Sequence, residues 1–201
     1  MTETATGLRE RKKEQTRIAL AQAGLRLFAE RGYDETTLAE IAEAAGVSTR
    51  TIFAYFASKE DILFANLQTM CDAASGAVTE RPEGVDALTA LRDFIVSSAH
   101  QKDALDHKLA ELIAADPTLA SHQRARVSQL QDMLAAELAK DLGVGPDDLR
   151  PKVAAASLAA AFEVLERQDA GMSKQPTAHD VAAAVDPIFA FVRAGLDALP
   201  S

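Results

Sequence analysis

The sequence predicts an all-α protein in which a small three-helix N-terminal head precedes a larger helical body, about nine helices in all. Three observations carry this. Alanine supplies 41 of the 201 residues, and it is the residue that loses least on entering a helix. Glycine (10) and proline (7) are too scarce for a turn-rich all-β chain. Apolar residues recur at spacings of three and four, with capping residues between the runs, and no stretch alternates convincingly as a strand.

Taken in order, Ile18, Ala21, Leu25 and Phe28 form one buried stripe on a helix from about residue 10 to 31, and Gly32 is its stop. Thr37 and Glu40 form a capping box that opens a short helix from Leu38 to Ala45, ended by Gly46. Ser48 caps a third helix, Thr49 to Phe56, with Ile52 and Phe56 stacked on one side. Ser58 caps a longer helix reaching about Thr79, and Arg81–Gly84 breaks the chain. Further helices are expected from about Val85 to Gln101, from Asp103 to Ala115 and, behind the Asp116-Pro117 cap, to about Asp141. Pro146 starts another, to about Gln168. A loop at Gly171–Pro176 precedes the last helix, Thr177 to about Leu199.

The single cysteine, Cys71, excludes an internal disulfide framework and a multi-cysteine zinc site. His100, His107, His122 and His179 lack the close spacing of metal ligands, so no metal and no cofactor is expected. No glycine-rich phosphate loop, GxSxG elbow or HExxH helix is present, and no catalytic residue or enzyme activity is assigned. No apolar run approaches about 20 residues, and the N-terminus lacks a basic-then-apolar signal pattern. The expectation is a soluble, cytoplasmic protein with no membrane partner.

The net charge of −9 is unevenly spread. Residues 1–59 hold nine Lys/Arg and eight Asp/Glu, whereas residues 60–201 hold 12 and 22. Arg9, Arg11, Lys12, Lys13 and Arg17 crowd the first helix. Charge is screened over about 8 Å at physiological salt, so a basic arm can meet phosphates while an acidic body stays away. A solvated, mixed-charge N-terminus that includes Glu10 and Glu14 fits the same residues.

Residues 37–59, TLAEIAEAAGVSTRTIFAYFASK, are the most informative stretch. Two short helices join through Ala45-Gly-Val-Ser48, where Gly46 permits a left-handed turn and Val47 plugs the gap. A two-turn helix is not stable alone, so Ile52 and Phe56 must pack inward. That leaves Thr49, Arg50, Thr51, Phe53 and Tyr55 toward the free surface, where such groups can bond base edges and pack on sugars or thymine methyls. An ordinary αα-corner fits the turn alone. The basic arm and the surface aromatics favour a DNA-binding helix-turn-helix with Thr49–Phe56 as its reader.

Residues 10–62 resemble the TetR/AcrR family of bacterial repressors. The resemblance rests on Ala23-Gly-Leu-Arg-Leu-Phe-Ala-Glu-Arg-Gly-Tyr33, Thr36-Thr37, Leu38-Ala-Glu-Ile-Ala42, Gly46-Val-Ser48, Thr51-Ile-Phe-Ala-Tyr-Phe56 and Ser58-Lys-Glu-Asp-Ile-Leu63. Arg50 stands where glycine is frequent in the family, and Phe53 where tyrosine is frequent. By resemblance, Thr37 meets phosphate at the start of its helix. Thr49, Arg50 and Thr51 face bases behind the capping Ser48, Phe53 and Tyr55 line the backbone, Lys59 clamps phosphate, and Arg17 with the basic arm reaches the neighbouring backbone or minor groove. The DNA-binding head is then residues 1–57, and residues 58–201 form a helical effector-binding and dimerisation domain.

In that body the last two helices are apolar on more than one face and need cover on two sides. Val153, Ala156, Ala160, Val185, Ile188, Phe189 and Val192 are the expected contacts of a homodimer, and burial within one subunit is the alternative. The resemblance implies a ligand pocket among the middle helices, with Leu67, Met70, Cys71, Phe94, His107, Leu112, Leu130, Met133, Leu134 and Phe162 as its lining. For any one of them, ordinary core packing is the competing role. The reading is a transcription regulator, a repressor released from a palindromic double-stranded operator by a small apolar or amphipathic effector. A ligand-independent regulator or an activator, and a helical ligand-binding module that binds no DNA, are the alternatives.

Overall fold

The structure is a computed structural model that describes residues 5–98, 104–169 and 177–198. Among the described residues there are ten α-helices and no strand: α1 Ala5–Arg31, α2 Leu38–Ala44, α3 Thr49–Ile52, α4 Lys59–Leu63, α5 Ala65–Thr79, α6 Ala87–Ser97, α7 Ala104–Ala115, α8 Pro117–Leu142, α9 Leu149–Asp169 and α10 Ala178–Ala198. The loop expected at Gly171–Pro176 and the end of the fifth expected helix around His100 lie outside the described residues. No helix among those described is long and apolar enough to cross a membrane.

The count exceeds the sequence expectation because the run after Ser58 breaks at Phe64, where φ is −97° and ψ is 12°. Ile62, Leu63, Phe64 and Ala65 are all buried. Four consecutive residues point almost all the way round a straight helix, so the break lets all four enter one core. The third helix is also shorter than Thr49–Phe56. After Ile52 the chain tightens to i→i+3 bonds, with Ala54 N–H donating to Thr51 O at 3.1 Å and Tyr55 N–H to Ile52 O at 2.8 Å. The ninth starts at Leu149 rather than Pro146, because the Asp148 carboxylate caps it by accepting from Arg150 N–H at 2.9 Å.

The described residues form two compact units. The first is Met1–Gln68 with Asp103–Ser121, and the second is Thr69–Lys102 with His122–Ser201. In the first, Leu20, Leu25 and Phe28 of α1 pack with Ile41 of α2, Ile52 of α3, Phe56, Ile62 of α4 and Leu109 of α7. A Cβ on Gly24 would run into Ile62 Cγ2 and stand 3.4 Å from Ile41 Cδ1. The missing side chain is therefore what lets α1 lie against its neighbours, and it outweighs the roughly 1 kcal/mol that glycine costs inside a helix.

In the second unit α10 packs on α6 and α9. Its core joins Val78 of α5, Leu88 and Leu91 of α6, Leu134 and Leu138 of α8, Leu158 of α9, and Val185, Phe189, Val192 and Leu196 of α10. Phe162 and Phe189 meet edge to face at 6.3 Å. Two cross-helix ion pairs tie α6 and its cap to α10: Arg92 Nε to Asp186 Oδ1 at 2.7 Å, and Arg193 Nη2 to Asp86 Oδ1 at 2.8 Å.

Candidate nucleic-acid interface

Three caps set the geometry of the motif. Thr37 Oγ1 accepts from Glu40 N–H at 3.3 Å while Glu40 Oε2 accepts from Thr37 N–H at 2.9 Å, so α2 opens on a full capping box. The bond from Thr37 N–H, and then one from the Thr37 hydroxyl at 2.8 Å, hold the Glu40 carboxyl below its usual range. At the far end Val47 N–H donates to Ala42 O at 2.9 Å and Gly46 N–H to Glu43 O at 3.0 Å. This is a Schellman stop, and it requires the positive φ of 69° at Gly46. Ser48 Oγ then accepts from Thr51 N–H at 3.2 Å and caps α3.

The result is a short helix whose apolar Ile52 is buried and whose other side faces solvent. Thr49 and Arg50 are exposed, Thr51 is half-buried and Phe53 is 60 % exposed. Tyr55 is half-buried and packs against the first core, so less of it faces outward than the sequence suggests. Arg17 is half-buried on α1 and donates to the Glu14 carboxylate at 2.9 Å.

Lys59 is placed differently from the expected phosphate clamp. Its ammonium donates to Tyr33 O at 2.7 Å and Thr36 O at 3.1 Å, stands 3.5 Å from Asp34 O, and lies 4.2 Å above the Tyr33 ring. The charge is committed to the loop that follows α1, where cation–π contact adds to the carbonyl bonds. The same loop is tied by the buried Thr36, whose Oγ1 donates to Gly32 O at 2.8 Å. Burial first, and then the Glu60 carboxylate, push the Tyr33 hydroxyl far above its usual range. No side-chain motif announces the Lys59 contact, because its partners are backbone carbonyls more than 20 residues upstream.

The expected pocket residues divide between the units. Leu67, His107 and Leu112 lie in the first, where Leu67 and Leu112 pack on its core. Met70, Cys71, Phe94, Leu130, Met133, Leu134 and Phe162 lie in the second. There Leu134 is buried, Phe94, Leu130, Met133 and Phe162 pack around the core, and Met70 is exposed. Burial and then Asp72 push the Cys71 thiol up, away from the reactive thiolate. Two concavities of the second unit, of about 510 and 470 Å³, are lined instead by residues such as Arg81, Asp86 and Glu137, and Ala136, Val144 and Pro151.

Three of the seven expected dimer contacts are likewise core residues of their own subunit. Val185, Phe189 and Val192 are buried among α6, α8 and α9. Val153, Ala156 and Ala160 are exposed, and Ile188 is half-buried. The exposed apolar residues that the sequence reading missed are Leu149 and Val164 on α9 and Phe191, 75 % exposed, on α10. The helix α10 carries two apolar stripes one residue apart, and periodicity alone does not say which enters the core.

Comparison with known proteins agrees with this architecture. A profile of the tetR family of bacterial regulatory proteins matches residues 20–65, and one of the MftR C-terminal domain matches residues 85–197. The HTH-type transcriptional regulator TcmR of Streptomyces glaucescens is 32 % identical over 177 residues, 83 % of this chain and 78 % of TcmR. Among solved structures, SmeT of Stenotrophomonas maltophilia in complex with triclosan superposes with a TM-score of 0.63 at 23 % identity, covering 88 % of this chain and 91 % of SmeT. NalD, the secondary repressor of a multidrug efflux pump in Pseudomonas aeruginosa, gives 0.62 at 20 %, covering 88 % and 96 %. The capped motif, the exposed face of α3 and the likeness to TcmR over most of both chains lead to one conclusion: the chain belongs to the tetR family and is a DNA-binding transcriptional regulator.

Proposed function

We propose that the protein is a cytoplasmic repressor that binds a palindromic double-stranded operator as a homodimer and leaves it when a small apolar or amphipathic effector enters the helical body. The head of residues 1–57 does the reading, and residues 58–201 carry the effector site and the dimer contact. The observation that carries this reading is the exposure of Phe53 beside Thr49 and Arg50, on a helix that buries Ile52. An exposed aromatic next to a guanidinium and hydroxyls suits a surface that meets base edges and sugars. The dimer contact is the outer seam of α9 and α10: Leu149, Val153, Ala156, Ala160 and Val164 with Phe191. These α9 residues are spaced at three and four, and all are exposed in the single chain. Release by an effector requires that the effector prefer the non-binding state. The triclosan complex of SmeT and the repressor role of NalD support an apolar effector and a negative sign.

The test is a titration of a duplex taken from upstream of the protein's own coding sequence against a scrambled duplex, repeated with a panel of lipophilic compounds. Preference for the upstream duplex, two protomers per site and release by a compound that also raises the melting temperature are expected. Equal affinity for both duplexes contradicts operator reading. Specific binding that no compound disturbs leaves a ligand-independent regulator.

A further inference from the structure

The helix α3 is a single turn, Thr49–Ile52, too short to be stable on its own backbone bonds. Three contacts join the residues on either side of Thr49 and Arg50. Thr51 N–H donates to Ser48 O at 2.8 Å and to Ser48 Oγ at 3.2 Å. The two hydroxyls, Ser48 Oγ and Thr51 Oγ1, then bond each other at 2.7 Å. Ser48 is extended, with φ −77° and ψ 151°, the cap geometry that turns its side-chain oxygen back over the helix. The clasp therefore closes round Thr49 and Arg50 and fixes the backbone from which both project. Those two are exposed, and among the described residues neither side chain bonds another group. Thr51 is half-buried, and its hydroxyl is engaged within the turn. The three side chains expected to face bases are thus of two kinds: two are open to a ligand and one is tied to the cap.

We infer that Thr51 is a positioning residue for operator recognition: its hydroxyl, paired with Ser48, holds the turn that presents Arg50, and it reads no base itself. The inference rests on the DNA-binding reading of the head. A guanidinium reads guanine only when two of its donors meet the paired acceptors together. The direction in which Arg50 leaves the backbone therefore matters as much as its charge. Ile52, buried beneath, anchors one side of the turn, and the Ser48–Thr51 pair anchors its N-terminal end. Ordering the turn before DNA arrives removes that cost from binding. Phosphate contacts elsewhere on the head do not depend on this turn, so the pair acts on preference among sequences more than on general affinity.

The experiment is a double-mutant cycle between Thr51 and Arg50. It is read on the upstream duplex, on copies of it substituted one base pair at a time, and on a scrambled duplex. Thr51→Val keeps the shape of the side chain and removes the hydroxyl, whereas Thr51→Ser keeps the hydroxyl. Thr51→Val is expected to lower affinity for the upstream duplex about three- to tenfold, the worth of one neutral hydrogen bond, with little change on the scrambled one. The loss should fall on the same base pair that Arg50→Ala relaxes, and adding Thr51→Val to Arg50→Ala should cost almost nothing more. Ser48→Ala should reproduce the effect, and Thr51→Ser should stay near wild type. Helix content by circular dichroism should be unchanged throughout. Relaxed preference at a base pair of its own, independent of Arg50, overturns the inference and makes Thr51 a base reader. Equal loss on upstream and scrambled duplexes overturns it in favour of a phosphate contact. Wild-type binding and preference in a folded Thr51→Val variant overturn it while leaving the head's reading of the operator in place. A wild type that does not prefer the upstream duplex overturns the operator reading, and this inference with it.

Discussion

In the proposed reading head, Arg50 is the side chain on which operator recognition is expected to depend most. It is exposed on a four-residue helix held by the Ser48 cap, and its planar fork matches the paired acceptors of guanine. Arg50→Ala is expected to cost about 1–3 kcal/mol on the operator and to relax preference at one base pair, with little change on scrambled DNA. Titration of duplexes substituted one base pair at a time checks this. Lys59 shows the limit of reading by resemblance. Its ammonium serves the carbonyls of Tyr33 and Thr36, so Lys59→Met is expected to lower the head's stability by about 2 kcal/mol by leaving those acceptors unpaired. Urea melts measure that loss, and the salt slope of DNA binding should stay near wild type. The Thr37–Glu40 box, by contrast, was legible, because both partners sit in one four-residue window and bond each other.

Elements were legible where caps and glycines mark their ends, and less so where burial decides. The Schellman stop at Gly46 and the cap at Ser48 follow from residue type. The break at Phe64 does not, since it arises from four consecutive residues entering one core. The joint of α5, α6 and α8 was also silent. Arg81, in the turn after α5, donates to Glu137 Oε2 at 2.7 Å and to Asp141 Oδ1 at 2.5 Å, 56 and 60 residues away. Asp141 in turn accepts from Ala87 N–H at 2.6 Å. The bond from Arg81, and then that from Lys140, hold the Glu137 carboxyl below its usual range. A depressed carboxyl stabilises the fold above its unfolded value, about 4.3, and the contribution is lost as pH falls through the lower folded value. Unfolding free energy is therefore expected to drop as pH falls below about 4.3. Glu137→Gln should be less stable at pH 7 and should lose less stability on acidification in urea melts.

At the scale of the molecule, composition foretold the helices and the likeness in residues 10–62 foretold the head, but the faces of α10 had to be seen. Val185, Phe189 and Val192 close the subunit core. Phe191 and the α9 residues Leu149, Val153 and Val164 stand outside it. A palindrome is read by two heads related by a two-fold axis, so in the proposed dimer operator affinity depends on that outer seam, which lies in the body rather than the head. The most direct measurement is sedimentation velocity of Phe191→Glu beside wild type, with operator titration of the same samples. A charge set in a dry interface is costly. The account predicts a monomer with wild-type helix content whose operator affinity has fallen at least tenfold. A variant that stays dimeric and binds the operator like wild type would contradict it.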